Sequence, residues 1–121
     1  MTWKILVTAT YIIPEIDRFA DFFAKHDIEA VVATVDERME EEELLPLVGD
    51  IHGMICGDDR ITARVIEAAP NLKVISKWGT GIDSINKDAA EKQGITVYRT
   101  LDAFTEPVAD STLGYILCFA R

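Results

Sequence analysis

The sequence predicts an α/β protein built on a doubly wound parallel sheet of five strands, in the order 2-1-3-4-5. Three observations predict it. Short strings rich in Ile, Leu and Val alternate along the whole chain with segments whose apolar residues recur at helical spacing. Strands separated by crossover helices imply a parallel sheet with helices on both faces, and right-handed crossovers leave few topologies. The chain has 121 residues, with no linker, repeat or low-complexity tract, which suits one domain with a sizeable core.

Each element follows from its residues. Residues 3–8 (WKILVT) read as a buried first strand. The stretch PEIDRFADFFAKHD places Ile16, Phe19, Phe22 and Phe23 at helical spacing, with Pro14 just before the helix. IEAVVAT is the second strand. EEEELLPLVGD is a short acidic helix with Gly49 near its end. IHGMIC (51–56) is the third strand, followed by a helix over ITARVIEAA in which Ile61, Val65 and Ile66 share a face. Pro70 and Asn71 break that helix. LKVIS (72–76) is the fourth strand, NKDAAEKQG (86–94) a short helix closing on Gly94, and ITVYR the fifth strand. The arrangement is the flavodoxin-like form of the doubly wound sheet.

A last helix runs from residue 105 to the chain end. From Leu113 to Ala120 it carries no charge, so it lacks the wet face of a surface helix. Such a helix is expected to bury most of its circumference against another domain or another chain. It stops on Arg121 without a turn signal or polar tail, which reads as a cut. Residues 1–104 are therefore expected to form the α/β unit, and residues 105–121 a connecting helix.

Composition removes several classes of function. A net charge of −9 argues against nucleic acid, whose phosphates need a basic face. The block Glu40 to Glu43 reads as a solvated helix start. No window of about 18 apolar residues exists to span a membrane. The N-terminus reads as a strand rather than a signal peptide. Cys56 and Cys118 lie far apart without a Cys-x-x-Cys, the pattern of free buried thiols in a cytoplasmic protein. His26 and His52 form no metal cluster, and neither has a carboxylate nearby in sequence to orient it as a base.

In an open parallel sheet, ligands sit at the carboxyl ends of the strands. Those ends are Thr8 to Thr10, Cys56 to Asp59, Lys77 to Gly81 and Thr100 to Asp102. The first lacks the glycines a flavin phosphate loop needs and the acidic pair a phospho-receiver needs. Asp58 and Asp59 read as a solvated turn and helix cap. The fourth loop, Lys77-Trp78-Gly79-Thr80-Gly81, carries the most chemistry. Its glycines let the backbone approach a ligand, and successive peptide N–H groups make a concave anion site. Lys77 either adds positive charge at the mouth or points to solvent. The same glycines also suit a tight strand-to-helix turn, and the residues alone leave both readings open.

From Pro70 onward, PNLKVISKWGTGIDSINKDAAEKQGITVYRT and then EPVADSTLGYILCFAR resemble the D-isomer-specific 2-hydroxyacid dehydrogenases, near their phosphoglycerate dehydrogenase branch. The resemblance rests on Lys77, Trp78, Gly79, Thr80, Gly81 and Asp83, on Ala89 and Ala90, on Gly94, Ile95 and Val97, and on Val108, Ala109, Asp110 and Thr112. The earlier ICGDDRITARVIEAAP fits it too. It implies a two-domain enzyme whose flavodoxin-like domain binds substrate and whose Rossmann domain binds NAD. It also implies that main-chain N–H groups at Thr80 and Gly81 hold a substrate carboxylate. Lys77, Trp78, Gly79 and Phe104 would border the substrate, and Thr80 and Thr112 would touch the cofactor.

Three positions depart from the family pattern. Cys56-Gly57 replaces an Arg-Ser pair, Phe104 an Asn, and Asp110 a Glu; the first two bear on which acid is bound. The chain holds no Gly-x-Gly-x-x-Gly between a strand and a helix, and the family's catalytic Arg, Glu and His would lie beyond Arg121. The expectation is therefore a substrate-binding portion, with NAD(H) used by the full-length enzyme, not held tightly by this chain, and no chemistry from this chain alone. The alternative is a stand-alone, non-catalytic ligand-binding or regulatory module of the same fold. The expected partners are a small 2-hydroxy or 2-keto acid and a second copy of the chain, meeting through Leu113, Ile116, Leu117 and Phe119.

Overall fold

The computed structural model describes residues 1–120; Arg121, where the cut was read, lies outside the described residues. Strands β1 (Trp3–Val7), β2 (Ile28–Val32), β3 (Gly53–Cys56), β4 (Val74–Lys77) and β5 (Thr96–Tyr98) pair in parallel throughout, in the order 2-1-3-4-5. This is the predicted flavodoxin-like topology. Side chains alternate between two faces along each strand. Leu6, Met54, Cys56 and Ile75 enter the larger core, with Leu44 and Val48, Val65 and Ile66, and Ala90 supplied by the overlying helices. Val7, Ala9 and Ile12 form a smaller core on the other face, against Ile5, Ile13 and Ile16.

The sheet packs so closely that Gly53 has a steric reason. A Cβ there would sit 3.1 Å from Ile5 Cγ2 and 3.3 Å from Val74 Cγ1, its neighbours in register on β1 and β4.

The helices are α1 (Ala20–Lys25), α2 (Glu41–Leu44), α3 (Ala63–Glu67), α4 (Lys87–Lys92) and α5 (Thr105–Phe119). The first expected helix begins as a 3-10 turn over Ile13–Phe19 and becomes α-helical only in α1. The tighter winding moves the apolar row off the core, because three residues per turn do not match the 3.6 period. Of the four residues read at helical spacing, Phe19 and Phe22 are exposed, while Ile16 and Phe23 are half-buried.

Pro46 has a similar effect after α2, where residues Leu45–Leu47 form a 3-10 turn. At the start of α2 the side chains of Glu40 and Glu43 cap each other's backbone in a capping box. Thr62 caps α3 by accepting from Val65 N, and Asn86 caps α4 by accepting from Ala89 N.

The two faces of the sheet are not equally covered. Beyond β3 the second face lacks a covering layer: Thr96 and Tyr98 are exposed and Val74 and Ser76 only half-buried. All residues from 101 to 120 are exposed, so α5 finds no core in this chain. No described helix is long and apolar enough to cross a membrane.

Candidate functional site

The carboxyl ends of β1, β3 and β4 converge, and the Gly79-Thr80-Gly81 loop leaves the sheet there. Trp78 N donates to Cys56 O (2.8 Å), which extends the β3–β4 ladder one residue past the strand. Gly79 then adopts φ +135°, a conformation a side chain would strain, and its carbonyl accepts from Thr100 N at 2.8 Å. Arg99 Nη1 reaches the Thr80 carbonyl at 3.4 Å. Two carbonyls of the loop are thus tied to the exit of β5.

The donors of the same loop are not tied. Among the described residues the N–H groups of Gly79, Thr80 and Gly81 donate to no backbone group. The Thr80 hydroxyl oxygen is buried and has no hydrogen-bond partner. Buried polar atoms nearly always find one, so this orphan stands out beside three amides that donate to no backbone group. Gly81 has ordinary φ, and a Cβ built on it meets nothing within 4 Å. The left-handed glycine is therefore Gly79, and nothing inside this chain requires glycine at position 81.

Lys77 neither projects to solvent nor stands open at the loop mouth. Its side chain is buried, and its Nζ donates to Gly57 O (2.7 Å) and to the Asp58 carboxylate. The Lys77 ammonium beside it holds the Asp58 carboxyl below its usual range, while Asp58 itself stays exposed. Asp59, expected as a solvated cap, is fully buried instead. Its carboxylate accepts from Thr8 Oγ1 (2.6 Å), Met39 N (2.6 Å) and Gly57 N (3.0 Å). A carboxylate with three donors is satisfied without a cation.

This knot was missed because Asp-Asp after a strand reads as a turn. The available signal was Thr8, whose strand lies next to β3 in the predicted order. Cys56 lies beneath the knot, where burial, with Asp59 adding to it, pushes its thiol up to about 12.

Two clefts flank the loop. One, of about 240 Å³, is walled by Thr10, Tyr11, Asp36, Glu37, Asp58 and Trp78. The other, of about 220 Å³, is walled by Arg38, Asp58, Arg60, Gly81, Asp83 and Ser84, and the buried Ser84 hydroxyl there also has no partner. A larger hollow of about 500 Å³ lies between α3 and α4, away from the strand ends, and is lined by surface residues such as Glu67 and Lys92.

Of the residues singled out in the sequence, Lys77, Trp78, Gly79, Thr80 and Gly81 come together here. Phe104 and Thr112 belong to the exposed C-terminal segment. Phe104 is half-exposed at the start of α5, and the Thr112 hydroxyl donates to Val108 O, one turn back on the same helix (2.8 Å).

A nicotinamide dinucleotide does not fit the residues present. The free Thr80 hydroxyl is one contact at most, Thr112 is engaged within its helix, and no strand-to-helix glycine turn of the dinucleotide-binding pattern exists to cradle a pyrophosphate.

The fold and the glycine loop define a flavodoxin-like α/β domain with its candidate site at the carboxyl edge of the sheet. The chain belongs to the D-isomer specific 2-hydroxyacid dehydrogenase family, whose catalytic-domain description matches residues 5–115. It is 44% identical over 81 residues to a glyoxylate reductase of Thermofilum pendens, covering 66% of this chain and 24% of that protein. It is 36% identical over 86 residues to human D-3-phosphoglycerate dehydrogenase, covering 70% of this chain and 16% of that protein. Among solved structures, the TT0316 protein of Thermus thermophilus superposes with a TM-score of 0.79 at 34% identity, covering 98% of this chain and 37% of that one. The chain thus spans a quarter or less of these two curated relatives.

Proposed function

We propose that this chain is the substrate-binding portion of an NAD-dependent D-2-hydroxyacid dehydrogenase, and that the Gly79-Thr80-Gly81 loop holds the carboxylate of a 2-hydroxy or 2-keto acid. The observation that carries this reading is the set of free donors in one loop: three peptide N–H groups and the unpartnered Thr80 hydroxyl. Hydrogen bonds to a charged group contribute about 1.5–3 kcal/mol each. Repulsion from a net charge of −9 is screened over about 8–10 Å, so close donors outweigh it. Trp78 would wall the substrate and Phe104 would approach it from the C-terminal segment.

In this reading residues 1–104 are the substrate domain and residues 105–121 lead toward a cofactor domain that supplies the dinucleotide site. The uncovered α5, uncharged from Leu113 onward, supports that arrangement. So does the open sheet face over Val74, Ser76, Thr96 and Tyr98. A cytoplasmic setting accords with the two free cysteines.

The test is titration of the purified chain with glyoxylate and pyruvate, followed by calorimetry and by the fluorescence of the half-exposed Trp78. Gly81→Val should fold normally, because the added Cβ meets open space. It should weaken binding at least tenfold, about 1.4 kcal/mol. Unchanged affinity in the variant, or no binding by the parent chain at millimolar acid, would refute the assignment.

A further inference from the structure

We infer that Asp58 makes this site selective for 2-hydroxy and 2-keto acids whose tails carry no second negative charge. The inference rests on the carboxylate-binding role proposed for the glycine loop and concerns only what lies beside it. Asp58 lines both clefts that flank the loop, one walled by Trp78 and the other by Gly81. A tail that enters either cleft from the loop meets this side chain.

The charges around Asp58 are arranged on two sides. Behind it, Lys77 is the neutralising cation, but only 4% of the lysine side chain is exposed against 83% of the aspartate's. The positive end is capped by Asp58 and the Gly57 carbonyl, while the negative end faces the clefts. On the Trp78 side, Asp36 and Glu37 share the cleft with Asp58, so a second anion there meets three carboxylates and no free cation. On the Gly81 side stand Arg38 and Arg60. Arg38 is held by Glu40 (2.9 Å), and Asp83 shares that cleft with Arg60 and Asp58. Arg60 forms no ion pair among the described residues and is the one cation of that cleft not already engaged, opposite the carboxylates of Asp58 and Asp83. A neutral tail can lie against Tyr11, Trp78 and Gly57 in the Trp78-side cleft without a like-charge contact.

Three D-2-hydroxy acids that differ only in the tail test this: D-lactate, D-malate and D-3-phosphoglycerate, each titrated into the purified chain at low and moderate salt. D-lactate should bind roughly tenfold more tightly than either acid with a charged tail, with the gap narrowing as salt rises, as a screened like-charge contact requires. Asp58→Asn keeps an acceptor oxygen for Lys77 and unmasks its charge, and should close most of that gap. Glu37→Gln, an exposed change clear of the Lys77 pair, should close part of it with the fold undisturbed.

Equal or tighter binding of D-malate or D-3-phosphoglycerate by the parent chain would overturn the inference. So would a preference for the acids with charged tails that Arg60→Ala removes, because the tail would then lie on the arginine side. If none of the three acids binds, or if D-lactate binding survives Gly81→Val, the carboxylate reading itself fails and this inference falls with it.

Discussion

Burial separates the two thiols of this chain into unlike reagents. Cys56 is fully buried among β3, Asp59 and Lys77, and desolvation lifts its thiol from 9.0 to about 12. Cys118 is exposed on α5. A disulfide-exchange reagent at pH 8 attacks thiolates that it can reach, so one thiol per folded chain should react at once and the second only on unfolding. Equal rates for both would contradict the burial of Cys56. The same shift predicts a pH trend. Folded Cys56 keeps its proton after the unfolded thiol has lost its own, so stability is undiminished below about 9 and falls as pH rises from 9.0 toward about 12. Cys56→Ser should flatten that fall, read from urea midpoints across the alkaline range.

Single residues of this kind also join elements. Asp59 ties the exit of β1, through Thr8, to the exit of β3, through Gly57, and to the segment ahead of α2, through Met39. Its backbone neighbours are held as well: Arg60 N donates to Met39 O (2.9 Å) and Ile61 N to Ser84 O (3.0 Å). Removing the carboxylate would leave the Met39 and Gly57 amides without an acceptor and the Thr8 hydroxyl with only its longer contact to Ile55 O (3.4 Å). Asp59→Ala should therefore lower stability by about 2–4 kcal/mol in urea unfolding. A loss under about 1 kcal/mol would show that the loops hold without it. Because Gly57 and Asp58 lie on the same loop, the knot also sets where the walls of the candidate site stand. The 3-10 entry to α1 is a contrasting case. Phe19 and Phe22 lie outward there and contact only neighbours on the same segment, Phe23 and His26, rather than joining one element to another.

At the scale of the whole molecule, α5 sets the behaviour in solution. Leu113, Ile116, Leu117 and Phe119 are each more than half exposed, and Phe119 reaches 92%. Full burial of side chains of this size is worth about 1.5–3 kcal/mol apiece. The purified chain should therefore self-associate through this helix, and Leu117→Glu should weaken that association. Sedimentation showing a clean monomer at high concentration, with parent and variant alike, would refute it. The net charge of −9 opposes association at long range only, so the effect should strengthen with added salt.

Much of this protein was determined by local pattern alone. The alternation of β-branched strings with helical spacing is enough to specify a parallel sheet in the order 2-1-3-4-5, since chirality leaves little choice. The Gly-Thr-Gly loop was legible for a related reason: its position at a strand's carboxyl end follows from the topology. Tertiary structure decided what the side chains around that loop do. Lys77 turns from a free charge into a buried partner of Asp58, and Asp59 from a solvated cap into a buried junction, because β1, β3 and β4 bring Thr8, Gly57 and Lys77 together across long stretches of chain. It also decided that Gly79 rather than Gly81 takes the left-handed turn. Periodicity reports which face a residue occupies, but a hydrogen bond depends on which strand ends meet, and that distance is set only when the sheet closes.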